Sequence, residues 1–238
     1  MFHYYFEFNV KKLLFVLFLT FPAFSQIAYL TGGADFRFSS STGLDKFAER
    51  YNQTRSSIIT KKMESPGTFS GWFVNFGGGF AGITFDLGYS RQTASMKAET
   101  DPLRTSGGGT GRDIDLILGN FMFGVGFAIA TSRDMALIFP NFEANLLDLS
   151  YETRTNTTSK SGDVSTIANA GIGMKLMFSL GGTFGVTIHP SYNFTLLEPN
   201  FSSLYDGTST SYDVMSDETK GSFNGFHVRL GLSFLITD

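Results

Sequence analysis

An all-β chain, folded as an eight-stranded antiparallel up-and-down transmembrane β-barrel, is what three observations in this sequence predict. Apolar and polar residues alternate with period two in eight separate segments, the pattern of strands with two unlike faces. The connections between those segments are short and long in turn. The 238 residues hold 27 Gly and 27 Phe but only 16% charged residues, while the mean hydropathy is only +0.03. A bundle of membrane helices would be far more apolar. Two opposite faces that cancel in the average give such a value.

Composition also excludes. With no Cys there are no disulfides and no thiolate zinc or iron–sulfur sites. Three His leave little to build a metal centre from, so neither a metal nor a cofactor is expected. The net charge of −3 lacks the basic footprint of a nucleic-acid binder, and no nucleic-acid partner is expected.

Taking the segments in order, residues 1–25 read as a signal peptide. Lys11 and Lys12 precede the apolar run Leu13 to Phe24, which ends in the small-residue pattern Ala23-Phe24-Ser25. The aromatic residues before Lys11, with Glu7 among them, make a poor leader, and translation from Val10 is the expectation. Residues 26–238 then form one barrel domain in the bacterial outer membrane.

The strands follow as Leu30 to Phe38, Phe69 to Phe76, Ile83 to Ser90, Ile114 to Ile129, Met135 to Tyr151, Ala170 to Ser179, Val186 to Leu196 and Phe226 to Ile236. Each approaches or exceeds the roughly 9–11 residues of a tilted spanning strand. Two change phase, near Gly119-Asn120 and near Leu146-Leu147, which predicts a β-bulge at each. The short turns are Gly77-Gly78-Gly79, Thr131 to Asp134 and Gly181-Gly182. Ser40 to Gly67, Lys97 to Gly111, Thr155 to Asp163 and Glu198 to Gly221 are long and polar. Short turns on the periplasmic side and long extracellular loops are the layout of an outer-membrane barrel.

Alternation alone does not say which face points outward, because a soluble eight-stranded barrel alternates too. The polar face decides: it is mostly Gly, Ser, Thr and Asn, suited to a narrow, side-chain-filled lumen and too poor in charge for a water-facing surface. The Phe, Leu and Ile of the other face are too bulky for that lumen and are predicted to face lipid. Trp72, Tyr89, Tyr151 and Tyr192 are assigned to interfacial aromatic girdles.

The closing strand Phe223 to Ile236, FNGFHVRLGLSFLI, together with the leader and the eight alternating segments, resembles the small OmpA/OmpX-type outer-membrane barrels. That resemblance implies recognition by the barrel-assembly machinery through Gly231, Leu232 and Phe234. It departs from the family pattern in continuing past the aromatic Phe234 to Asp238.

Candidate site residues fall into three groups. Asp35, Arg37, Asp86, Asp113, Asp115, Glu143, Lys175, His189 and Arg229 are in phase with the polar face and are expected to pair across the lumen, since unpaired buried charge is costly. His189 and Ser191 share one strand face and are similar to the His and Ser of outer-membrane lipid A deacylases, with Glu143 or Glu198 as orienting acid. Leu44, Phe47, Ala48 and Tyr51 fall at i, i+3, i+4 and i+7, an amphipathic helix expected to cap the barrel mouth or lie along its rim. The glycine-rich run Gly107 to Arg112 lacks the Lys-Ser/Thr of a nucleotide loop. Three functions remain open: a structural or surface-interacting barrel, a lipid-modifying enzyme, and a narrow passive pore. The expected partners are outer-membrane lipid and lipopolysaccharide, the barrel-assembly machinery and an extracellular surface partner.

Overall fold

A computed structural model of the chain describes residues 27–105, 111–132, 135–155, 158–181, 183–205 and 219–237. The expected signal peptide, the start at Val10 and most of the glycine-rich run lie outside these residues. The elements are β1 (Ile27–Ser41), α1 (Thr42–Thr54), β2 (Ile59–Lys61), β3 (Thr68–Phe80), β4 (Ile83–Thr100), β5 (Gly111–Thr131), β6 (Met135–Arg154), β7 (Ser159–Gly181), β8 (Phe184–Leu197) and β9 (Phe223–Thr237).

Eight strands, β1 and β3 to β9, pair antiparallel with their sequence neighbours, and β1 closes the ring against β9. Short β2 adds to the end of β4. Closure leaves the ring without an edge, the condition for a sheet to cross a bilayer with its backbone groups satisfied. Leu30, Trp72, Phe121, Phe142, Leu180, Phe184 and Leu232 point outward and are 48–68% exposed, among many others of the same kind. The inner face at the same level carries Asn, Ser, Thr, Gly and charged side chains. The fold is therefore the predicted transmembrane barrel.

The turn between β3 and β4 is Ala81-Gly82, with φ of 52° and 83°, as a two-residue hairpin demands. Gly77-Gly78-Gly79, expected there, lies inside β3 instead. Gly77 serves packing, because a Cβ there would collide with the Tyr29 ring and with Asp86 Oδ1.

Neither expected bulge exists. The β5–β6 register runs unbroken from Asp113 to Gly126, and that of β6–β7 from Asn141 to Leu149. The shifts fall elsewhere, at Gly126 to Ala130, at Ile138 to Asn141, and where β7 inserts Val164 opposite Leu149 and Ser150. What changes near Gly119 and Leu146 is the chemistry of the faces. On β5, Phe121 and Phe123 point out and Asn120 and Met122 point in, while higher up Ile114, Leu116 and Leu118 point in and are fully buried. On β6, Glu143 and Asn145 point in below Leu147, Leu149 and Tyr151, which point in as well. Beyond the lipid the outer face meets water and the inner face closes an apolar core, so the two faces exchange polarity with no slip in register.

That core fills the long-loop end of the barrel. Ser41 caps α1 by accepting from the Leu44 amide, and Leu44, Phe47, Ala48 and Tyr51 turn into the mouth. They join Phe69, Leu118, Leu147, Ile167, Phe201, Leu204 and Phe223 in one cluster. Asn52 fastens the returning chain by accepting from the Met63 amide and donating to the Met63 carbonyl, each at 2.8 Å.

Candidate functional site

The lumen below the cap is occupied by two tiers of hydrogen-bonded charge. In the tier nearer the short turns, Asp86 Oδ1 receives three donors: Lys175 Nζ at 2.5 Å, the Tyr29 hydroxyl at 2.6 Å and Asn75 Nδ2 at 2.8 Å. Lys175 also donates to the Tyr29 oxygen at 3.1 Å. These groups come from β1, β3, β4 and β7, so the tier ties opposite walls together.

The next tier is centred on Arg229 of β9. Its guanidinium donates to Glu143 Oε2 at 2.8 Å and lies 3.3 Å from Nδ1 of both His189 and His227. Since Arg can only donate, both Nδ1 atoms accept. Each neutral ring then carries its proton on Nε2, facing Glu143 Oε1 at 3.0 Å in the case of His189 and Asp35 in the case of His227. Gln92 accepts at Oε1 from Nε of the buried Arg37 at 3.4 Å, and its amide nitrogen lies 3.3 Å from His227 Nε2. With the imidazoles neutral, Arg37, Lys175 and Arg229 balance Asp35, Asp86 and Glu143 among the described lumen residues. The lumen is an electroneutral plug.

Asp113 and Asp115, expected in this network, are on the outer face. They lie above the exchange of faces, where inward positions belong to Arg112, Ile114 and Leu116. Asp115 accepts from Ser95 at 2.8 Å and pairs with Arg154 at 3.6 Å. The hydrogen bond from Arg154 to Glu152, with the charges of Glu152 and Asp115, raises the pKa of this exposed guanidinium. Tyr151, assigned to an aromatic girdle, is 3% exposed inside the apolar core for the same reason. Trp72, Tyr89 and Tyr192 do point outward.

His189 and Ser191 face the lumen and are 3% and 2% exposed, on the far side of the wall from any acyl chain. The Ser191 hydroxyl donates to Glu143 at 3.4 Å and not to the imidazole. Glu198 is exposed beyond the end of β8. The arrangement provides no nucleophile–base pair. Arg112, by contrast, works in the cap: it donates to Thr153 Oγ1 at 2.8 Å and to the Leu204 carbonyl at 3.1 Å, and lies near the rings of Phe47 and Tyr51. Gly231, Leu232 and Phe234 stand in the second half of β9, with Leu232 and Phe234 pointing outward.

Sequence reasoning missed His227, although it shares phase with Arg229. It also missed Tyr29, whose aromatic ring suggests lipid but whose hydroxyl requires a buried polar partner.

Passage through the lumen is shut from both directions. Above the ion pairs stands the apolar core. Below them, a cavity of about 170 Å³ at the short-turn end, lined by Thr84, Ala128, Ile138 and Met177, stops at Tyr29. No described helix is long and apolar enough to cross a membrane, and crossing falls to the strands.

Fold and lumen together define a membrane-spanning barrel protein with a side-chain plug and a capped mouth. The sequence matches no family model and no curated protein significantly. Among solved structures, the chain is similar to Neisserial surface protein A, at 10% identity over 88% of this chain and 97% of that one, with a TM-score of 0.46. It is also similar to Ail, the attachment invasion locus protein of Yersinia pestis, in complex with the heparin analogue sucrose octasulfate, at 12% identity over 88% and 98% of the two chains and a TM-score of 0.47. The outer membrane protein OprG from Pseudomonas aeruginosa is a third, at 10% identity over 89% and 96%, with a TM-score of 0.43. Likenesses this distant carry no argument about residues or activity.

Proposed function

We propose that this protein is a non-conducting barrel of the bacterial outer membrane, with short turns in the periplasm, and that its role is structural or surface-interacting. The observation that carries this reading is the doubly closed lumen. An apolar cap over an electroneutral plug leaves no water path through the described lumen for a pore, and it keeps His189 and Ser191 buried away from lipid.

The wall supports a role at the long-loop end. β4 to β7 are 18–23 residues long, whereas β1, β3, β8 and β9 are 13–15. One side of the barrel therefore projects well beyond the membrane. Its outer surface carries Lys97, Glu99, Asp101, Asp113 and Arg154 around a polar groove of about 620 Å³, a mixed-charge surface suited to a polar partner. Assembly by the barrel-assembly machinery through β9 belongs to the same reading.

The test combines membrane fractionation, heat-modifiable electrophoretic mobility and planar-bilayer recording. The expected result is an outer-membrane, heat-modifiable protein that adds no steady conductance. Discrete single-channel openings from the folded protein would overturn the closed-lumen reading.

A further inference from the structure

Between the lipid-facing and water-facing parts of the outer wall, β3 to β6 carry three successive cross-strand rows. Val74, Tyr89, Phe121 and Leu146 form an apolar row. Ser70, Thr93, Ile117 and Ser150 form a largely polar one four residues further along. Between them runs the row Trp72, Arg91, Gly119, Asp148, all in direct register. On this sector, lipid gives way to water at that row.

Arg91 is exposed and outward-facing, and it makes no ion pair or hydrogen bond among the described residues. Its neighbour across the ladder has no side chain. Gly119 leaves a notch between Arg91 and Asp148, whose Cα atoms stand about 10 Å apart at two strand spacings. The Tyr89 hydroxyl reaches the edge of that notch, since a Cβ on Gly119 would lie 3.4 Å from it. Under the notch the rings are continuous: Trp72 to Tyr89 at 5.7 Å and Tyr89 to Phe121 at 4.9 Å. A guanidinium and a phenol, both hydrogen-bond donors, thus border a gap in the wall directly above an aromatic surface that faces acyl chains.

We infer that this notch binds the phosphate headgroup of an outer-leaflet lipid. The occupant follows from position and charge. Only a membrane lipid lies against both the aromatic surface and the row above it, and a guanidinium at that depth complements a phosphomonoester. Asp148 stands on the other side of the notch. The inference rests on the barrel's residence in a membrane but not on its closed lumen.

Trp72 is the only tryptophan of the chain, which makes the test site-specific. The full-length protein is folded into phosphatidylcholine vesicles that contain a small equal fraction of either acyl-brominated phosphatidic acid or acyl-brominated phosphatidylcholine. Excess quenching of Trp72 by the phosphomonoester lipid measures its enrichment at the notch. The native protein is expected to prefer phosphatidic acid, Arg91→Gln to lower that preference roughly fivefold, and Arg91→Lys to retain most of it. Equal quenching by both lipids in the native protein overturns the site. So does a preference that survives Arg91→Gln in protein with the folded electrophoretic mobility. A conducting barrel with an intact lipid preference would instead count against the closed lumen alone.

Discussion

Arg229 and Glu143 meet inside the barrel with a guanidinium nitrogen 2.8 Å from a carboxylate oxygen, their side chains 3% and 0% exposed. The same guanidinium lies within 3.3 Å of two imidazole nitrogens, so one residue orients both rings of the upper tier. Arg229→Ala leaves Glu143 buried with only His189 and Ser191 to satisfy it. Removing one partner of a buried pair costs about 3–5 kcal/mol, and a fall of that size is expected in the urea-unfolding free energy followed by Trp72 fluorescence. The double variant Arg229→Met with Glu143→Leu removes both charges and is expected to recover much of the loss.

Tyr29→Phe tests the lower tier. The substitution keeps the ring and deletes the hydroxyl that donates to Asp86 and accepts from Lys175. A buried charged pair that loses one supporting hydrogen bond is expected to lose about 1–3 kcal/mol. The measurement is the temperature at which the compact electrophoretic form converts to the unfolded one, which is expected to fall while outer-membrane assembly continues.

Gly43→Leu separates the cap from the barrel. Any Cβ at Gly43 runs into the ring of Phe201, so α1 cannot seat against the 3-10 turn Ser202–Leu204 that follows that ring. The expected outcome is faster hydrogen exchange and easier proteolysis across residues 42–54, with the heat-modifiable barrel intact. Conductance is expected to stay absent, because the ion-paired tiers below still fill the lumen.

The strand count and the identity of the lipid face were legible because period-two alternation survives in any strand with two unlike environments. The exchange of faces was not. A one-residue bulge and a reversal of polarity produce the same hydropathy trace, and only the pairing of β5 with β6 distinguishes them. Asp113, Asp115 and Tyr151 were misplaced by that ambiguity. The charges of the lower lumen escaped it, since Asp35, Asp86, Glu143, Lys175 and Arg229 all lie at levels where lipid covers the outside. The three glycines at 77–79 misled for another reason: glycine marks turns and close approaches alike, and here the Tyr29 ring, unsuspected in the lumen, was what approached.

The exchange of faces predicts a labelling pattern that a bulge would not. The chain has no cysteine, so single substitutions report one position each. Asp115→Cys points outward above the lipid and is expected to react quickly with a membrane-impermeant maleimide added outside intact cells. Leu116→Cys, one residue on and fully buried in the apolar core, is expected to react at least about tenfold more slowly. Phe121→Cys points into lipid and is expected to resist the aqueous reagent but to react with a bilayer-soluble one. A bulge near Gly119 would turn position 116 outward and 115 inward while leaving 121 where it is. The order of reactivity between 115 and 116 therefore decides between a slipped strand and a continuous one whose surroundings change from lipid to water.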